Sequence, residues 1–158
     1  MDDTAFMRAA LSEALAAADE GEIPVGAVVV KDGLIIGSGH NRRLRDASPF
    51  AHAEMAAMAQ AAQKLKRWRF DECVLYVTLE PCAMCAGAIV QCRVGRLVYG
   101  APDPKAGAAG SLYDIPGDSR ICHRCEVRRG VLEQQCAKLL GDFFLAKRKA
   151  RSNRPDST

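Results

Sequence analysis

The sequence predicts an α/β domain in three layers, α/β/α, with helices packed on both faces of a central mixed sheet. Two observations carry this. A tight hairpin signal lies near the N-terminus, and helix-like and strand-like segments alternate after it. A hairpin followed by helix–strand–helix–strand units implies a mixed sheet. The length of 158 residues suits one domain with a full core, and 49% hydrophobic with 26% charged residues is globular composition, which excludes wholesale disorder.

The elements follow in order. Over 4–19, Phe6, Ala10, Leu11, Ala14, Leu15 and Ala18 recur at helical spacing, with Thr4 as the expected cap and Gly21 as the stop. The runs VGAVVV (25–30) and LIIG (34–37) flank Lys31, Asp32 and Gly33, and Asp-Gly suits the positive-φ turn of a hairpin. Residues 42–50 read as a loop. The stretch 52–65 is rich in Ala, Met and Gln and predicts a helix with His52 near its start. A third strand is expected over 73–78. Pro81 then suits the approach to a helix over 82–92, where its missing N–H costs nothing. A short strand over 97–99 ends at Gly100. Residues 101–120 hold three prolines and three glycines and predict loop and turns. A last helix is expected from near Val131 to Lys149, burying Leu132, Cys136, Leu139, Leu140 and Phe143. Residues 1–150 should form the domain, with 151–158 a flexible basic tail.

The chemistry concentrates in HAE at 52–54 and PCAMC at 81–85. Cys82 and Cys85 are three apart, so one helical turn presents both the same way. With His52 they supply three ligands for Zn²⁺ and leave the fourth position open, the catalytic rather than the structural arrangement. Both His52 and Cys82 are expected where a loop feeds a helix N-terminus, and the positive helix end favours a Cys82 thiolate. Glu54 is placed to shuttle protons.

Seven cysteines without a basic, apolar leader segment point to a reducing cytoplasm, where paired cysteines mean metal or redox chemistry before disulfides. No run approaches the ~18 apolar residues of a membrane span. Cys122 and Cys125 form a second C-x-x-C. Joined to Cys82 and Cys85 they could close a non-enzymatic Cys₄ zinc module, though such pairs commonly lie ~15–20 residues apart and these lie 36 apart. That arrangement also leaves His52, Glu54 and Pro81 without roles. Cys73, Cys92 and Cys136 read as core. The net charge of +3 decides little. Three basic clusters stand out: Arg42, Arg43 and Arg45; Lys64, Lys66, Arg67 and Arg69 around Trp68; and Lys147, Arg148, Lys149, Arg151 and Arg154. Each could meet phosphate, or simply be a solvated face.

Taken together the motifs resemble the zinc-dependent cytidine/deoxycytidylate deaminase superfamily, whose signature is H-x-E with P-C-x-x-C. Further runs resemble its tRNA adenosine deaminase branch: IPVGAV (23–28), GHNR (39–42), PFAHAE (49–54), TLEPCAMCAG (78–87), GAPDPK (100–105), GAAGSL (107–112) and DFF (142–144). Cys122 and Cys125 depart from the branch's usual pattern.

The resemblance implies a cytidine-deaminase-like fold with about five strands. It also implies hydrolysis of adenosine to inosine at the wobble position of a tRNA anticodon, in an arginine tRNA. On this likeness His52, Cys82 and Cys85 bind one Zn²⁺ per chain, Glu54 is catalytic, and Asn41 hydrogen-bonds the purine. Ile23, Val25 and Ala27 would wall the base pocket. Asp103 and Lys105 would touch flanking nucleotides, and Phe144 and the last helix would meet the anticodon stem-loop. A homodimer is implied too. The enzyme alternative is a deaminase of a free base or nucleoside such as guanine or cytosine.

Overall fold

The computed structural model describes residues 2–155. The elements are α1 (Asp3–Asp19), β1 (Gly26–Lys31), β2 (Leu34–His40), α2 (Ala53–Leu65), β3 (Val74–Leu79), α3 (Ala83–Gln91), β4 (Arg96–Ala101), β5 (Glu126–Arg129) and α4 (Glu133–Ser152). The sheet runs in the order β2-β1-β3-β4-β5. β1 pairs antiparallel with both β2 and β3, whereas β3–β4 and β4–β5 are parallel. This is the mixed five-stranded sheet of a cytidine-deaminase-like α/β fold.

Strand alternation builds the two cores. Ala27, Val29, Leu75, Val77 and Leu97 pack with α2 and α3 residues such as Ala57, Met58 and Ile89 on one face. Val28, Val30, Tyr76 and Val98 pack with Met7, Ala10 and Cys136 of α1 and α4 on the other. Successive strand residues point to opposite faces, so both faces of β1 must be apolar, as VGAVVV supplies. The expected hairpin forms with Asp32 at φ 50° and Gly33 at φ 75°. α2 lies close on the sheet because Gly37 has no side chain; a Cβ there would collide with the Ala57 carbonyl.

Several expectations change at their edges. The α1 cap is Asp2, whose carboxylate accepts from Thr4 N at 3.0 Å and Ala5 N at 3.2 Å, so the helix starts one residue before Thr4. β5 lies in a stretch where no strand is expected. Glu-Val-Arg-Arg has one apolar residue, and its mostly exposed edge position explains the missing hydrophobic pattern. α4 starts at Glu133, two residues later than Val131. Of its expected core residues only Cys136 is fully buried; Leu132, Leu139, Leu140 and Phe143 are half-buried. The helix meets β4 near Gly100 through Cys136, and beyond Leu140 no described residue is buried. Arg151 and Ser152, placed by the sequence in the tail, continue α4. Residues 156–158 of that expected tail lie outside the described residues.

A buried charge ties α1 to the sheet. Asp3, 4% exposed, meets Arg96 of β4 at 3.0 Å through both carboxylate oxygens, the Tyr76 hydroxyl of β3 at 2.7 Å, and Arg128 of β5. The two guanidiniums compensate a carboxylate that burial would otherwise penalise.

Candidate active site

His52 is the N-cap residue of α2 and Cys82 the N-cap residue of α3. N-caps are usually Ser, Thr, Asp or Asn, whose side chains satisfy the first free N–H groups. Neither side chain does so here. Instead they turn toward each other: His52 Nδ1 lies 3.7 Å from Cys82 Sγ and 3.5 Å from Cys85 Sγ. Two helix N-termini therefore converge on one cluster and favour negative charge there. Pro81 stands one residue outside the helix, and its carbonyl accepts from Ala108 N at 2.8 Å.

The three donor atoms lie within 4.8 Å of one another. In a tetrahedral zinc site with Zn–N of about 2.0 Å and Zn–S of about 2.3 Å, nitrogen and sulfur are about 3.5 Å apart. The observed separations fit that geometry. The electrostatics agree. Hydrogen bonds from Cys85 and His52 draw Cys82 down to about 3, while the hydrogen bond to Cys82, and then burial, hold Cys85 far up. Its hydrogen bond with Cys82 raises His52. One thiolate thus exists by sharing neighbours' protons, and a divalent cation would replace those protons.

Glu54 stands in the first turn of α2, 4% exposed, and burial raises its pKa above the usual carboxylate range. It lines a cavity of about 200 Å³ together with His52, Cys82, Ile23, Val25 and Asn41. Glu80, Asp103 and Ala106 complete another part of the wall. Asn41, 6% exposed, is held by its own backbone neighbourhood: Nδ2 donates to Ile23 O at 3.2 Å, and Oδ1 accepts from Arg43 N at 3.1 Å. Each leaves one hydrogen-bonding valence of the amide uncommitted.

The predicted residues divide clearly. His52, Glu54, Cys82, Asn41, Ile23, Val25 and Asp103 line this cavity, with Cys85 buried behind Cys82 in the donor cluster. Ala27 does not line it; it is fully buried in β1, paired with Gly39 and Val77. Lys105 is exposed beside Asp103, and Phe144 is 41% exposed on α4; neither lines the cavity. The Cys₄ arrangement does not form. Cys122 is exposed, and Cys125 is buried beside its own strand with Sγ 3.6 Å from Glu126 O; neither joins the donor cluster. A second cavity of about 400 Å³ adjoins the first, sharing Ile23, Asn41 and Arg43 and reaching Lys147.

Two buried carboxylates carry no expectation from the sequence. Glu22, 1% exposed, accepts from Leu44 N and Arg45 N; Glu80, 2% exposed, accepts from Asp103, Ala109 and Ser111. Apart from the Ser111 hydroxyl on Glu80, their partners are backbone amides 22–31 positions away, which any residue type supplies, so little in the sequence announces them.

The fold and the donor cluster together define a deaminase, and a protein-family model for MafB19-like deaminases matches residues 1–148. The tRNA-specific adenosine deaminase of Bacillus subtilis (strain 168) is 45% identical over 149 residues, covering 94% of this chain and 92% of that protein. The enzyme of the same name from Haemophilus influenzae is 45% identical over 150 residues, 94% of this chain and 87% of the relative. A structure from a study of A-to-I editing by tRNA:A34 deaminases at the wobble position superposes with a TM-score of 0.83 at 42% identity, covering 87% of this chain and 99% of that one. The guanine deaminase of Nitrosomonas europaea superposes with a TM-score of 0.77 at 27% identity, over 89% and 83% of the two chains. The chain belongs to the tRNA-specific adenosine deaminase family, and it is an enzyme. Among the described residues no helix is long and apolar enough to cross a membrane.

Proposed function

We propose that this enzyme converts adenosine to inosine at the wobble position of a tRNA anticodon, an arginine tRNA first among them. One observation carries the reading: a small cavity unites the His52–Cys82–Cys85 donor cluster with a buried, protonatable Glu54 and an amide, Asn41, suited to a purine edge. The 45% identity to named tRNA-specific adenosine deaminases supports tRNA over a free base, since the likeness to a guanine deaminase is 27%.

His52, Cys82 and Cys85 would hold one Zn²⁺ per chain, which when bound supplies a water that ionises near neutral pH. The chain's own residues do the rest. Ile23 and Val25 enclose the flipped-out base in an apolar slot, and Asn41 fixes its orientation. Glu54 accepts the proton of the attacking water and gives it to purine N1 as oxygen bonds to C6. It then moves the hydroxyl proton to the exocyclic amine; the C6–N bond breaks, its electron pair leaves on ammonia, and C6 becomes the carbonyl of inosine. Burial, which raises Glu54, favours its protonated form and so suits it to carry the proton between water, N1 and the amine.

Asp103 and Lys105 would face the flanking nucleotides, and Phe144 with the basic face of α4 the anticodon loop. Ala27 acts from behind, as the packed layer supporting Val25. In this reading residues 1–150 are the catalytic domain. The enzyme works as a cytoplasmic homodimer whose second subunit helps hold the RNA. The test is incubation with an anticodon stem-loop carrying wobble adenosine. Inosine is the expected product; ammonia from free guanine or cytosine, with no inosine, overturns the reading.

A further inference from the structure

Glu80 sits beside the donor loop yet has no part in the chemistry described above. Its carboxylate is 2% exposed and faces no cation among the described residues. Four donors satisfy it instead. Oε1 accepts from Ala109 N at 3.1 Å and Ser111 N at 2.9 Å; Oε2 accepts from Asp103 N at 2.9 Å and Ser111 Oγ at 2.5 Å. A carboxylate offers about four acceptor directions, so this one is saturated and has none to spend on substrate. Every donor comes from the single loop 103–111. That loop is built to admit the carboxylate: a Cβ at Gly107 would collide with it. The loop is also joined to the metal-donor segment, because Ala108 N donates to Pro81 O at 2.8 Å and Cys82 bridges Gly107.

Within the loop, Asp103 Oδ1 accepts from Lys105 N at 3.0 Å and Ala106 N at 3.1 Å, and Gly107 N closes on Asp103 O at 2.8 Å. Asp103 to Gly107 is thus a compact self-bonded turn, and Asp103 and Ala106 form cavity wall. Among the described residues, the outward hydrogen bond on the turn's N-terminal side is the one from Asp103 N to Glu80 Oε2.

We propose that Glu80 is a positioning residue for deamination: it gathers the 103–111 loop onto one buried carboxylate and so holds the Asp103–Ala106 wall against the substrate. The proposal rests on the adenosine-deaminase reading above. Glu80→Gln tests it selectively. The amide oxygen can keep Ala109 N and Ser111 N, and the amide nitrogen can donate to Ser111 Oγ, but it then faces Asp103 N, donor against donor. Only the Asp103 side of the loop should be released.

The experiment compares wild type, Glu80→Gln and Ser111→Ala in zinc content, amide hydrogen exchange, and KM and kcat for inosine formation on the stem-loop. In Glu80→Gln, zinc stays at the wild-type ratio, exchange at Asp103 accelerates about tenfold or more while Ala109 and Ser111 stay protected, and KM rises about tenfold with kcat little changed. Ser111→Ala, which removes one hydroxyl donor, gives a smaller rise in KM and serves if Glu80→Gln does not fold. Unchanged exchange and KM overturn the proposal, as does a loss confined to kcat, which would put Glu80 in the chemistry. Wild-type protein that makes no inosine overturns the functional reading instead, and the exchange pattern then still decides the anchoring.

Discussion

Glu54 and Glu80 are two buried carboxylates on one cavity with opposite surroundings. Burial dominates at Glu54 and raises it; at Glu80 burial also raises, but the hydrogen bonds from Ser111, Asp103 and Ala109 outweigh it and hold the group low. That split leaves Glu54 as the carboxyl able to exchange protons. Glu54→Gln keeps the shape and loses the proton, so it should retain zinc by metal analysis while inosine formation falls by about 10²–10⁴. Cys82→Ser replaces a thiolate with a poor zinc ligand at the point where two helix ends converge, and should strip the metal. Cys122→Ser, exposed and outside the cluster, should retain one zinc per chain in the same measurement. His52, Glu54, Cys82 and Cys85 are readable in the sequence because ligand chemistry dictates residue type and spacing. Glu22 and Glu80 are not readable, because all their donors but the Ser111 hydroxyl are backbone amides that could belong to any residue.

At the level of elements, legibility follows burial. The first hairpin strand, α2, β3 and α3 bury apolar patterns and lie where the sequence puts them to within a residue or two, while the second hairpin strand, expected over 34–37, runs on to His40. β5 and the C-terminal half of α4 bury little, so their patterns are weak, and there the expectations miss. What holds β5 is partly charge, through Asp3, which links α1 to Arg96 and Arg128. Burial alone would raise Asp3, but Arg96, Tyr76 and Arg128 outweigh it and the net shift is downward. A carboxylate with a lowered folded pKa stabilises the fold above its unfolded value of about 3.9, and that stability drains as pH falls through the folded value. Asp3→Asn should therefore cost about 1–3 kcal/mol in urea unfolding at neutral pH. The deficit relative to wild type should shrink below about pH 4, where the wild-type carboxylate also protonates; a deficit independent of pH would rule out the charge as its source.

Across the whole molecule, the three basic clusters that look alike in sequence differ once ion pairs are counted. In the cluster around Trp68, Arg67 pairs with Glu72 at 3.1 Å and Arg69 with Asp71 at 2.9 Å. In the first cluster, Arg42 pairs with Asp46 and Arg45 with Glu20, while Arg43 makes no ion pair among the described residues and lines both cavities. On α4, Lys147 lies over the Phe143 ring at 4.9 Å and reaches the second cavity. A cation already neutralised by a neighbouring carboxylate releases fewer counterions when it meets phosphate. Phosphate contacts should thus fall to Arg43 and Lys147, which border the site from different elements, and not to Arg67 and Arg69. Binding of the stem-loop measured against salt separates these cases. Arg43→Ala and Lys147→Ala should each weaken affinity and reduce the slope of log Kd against log salt by about 0.7–0.9. Arg67→Ala with Arg69→Ala should leave both unchanged, and a loss of slope in that double variant would move the RNA path to the far end of α2.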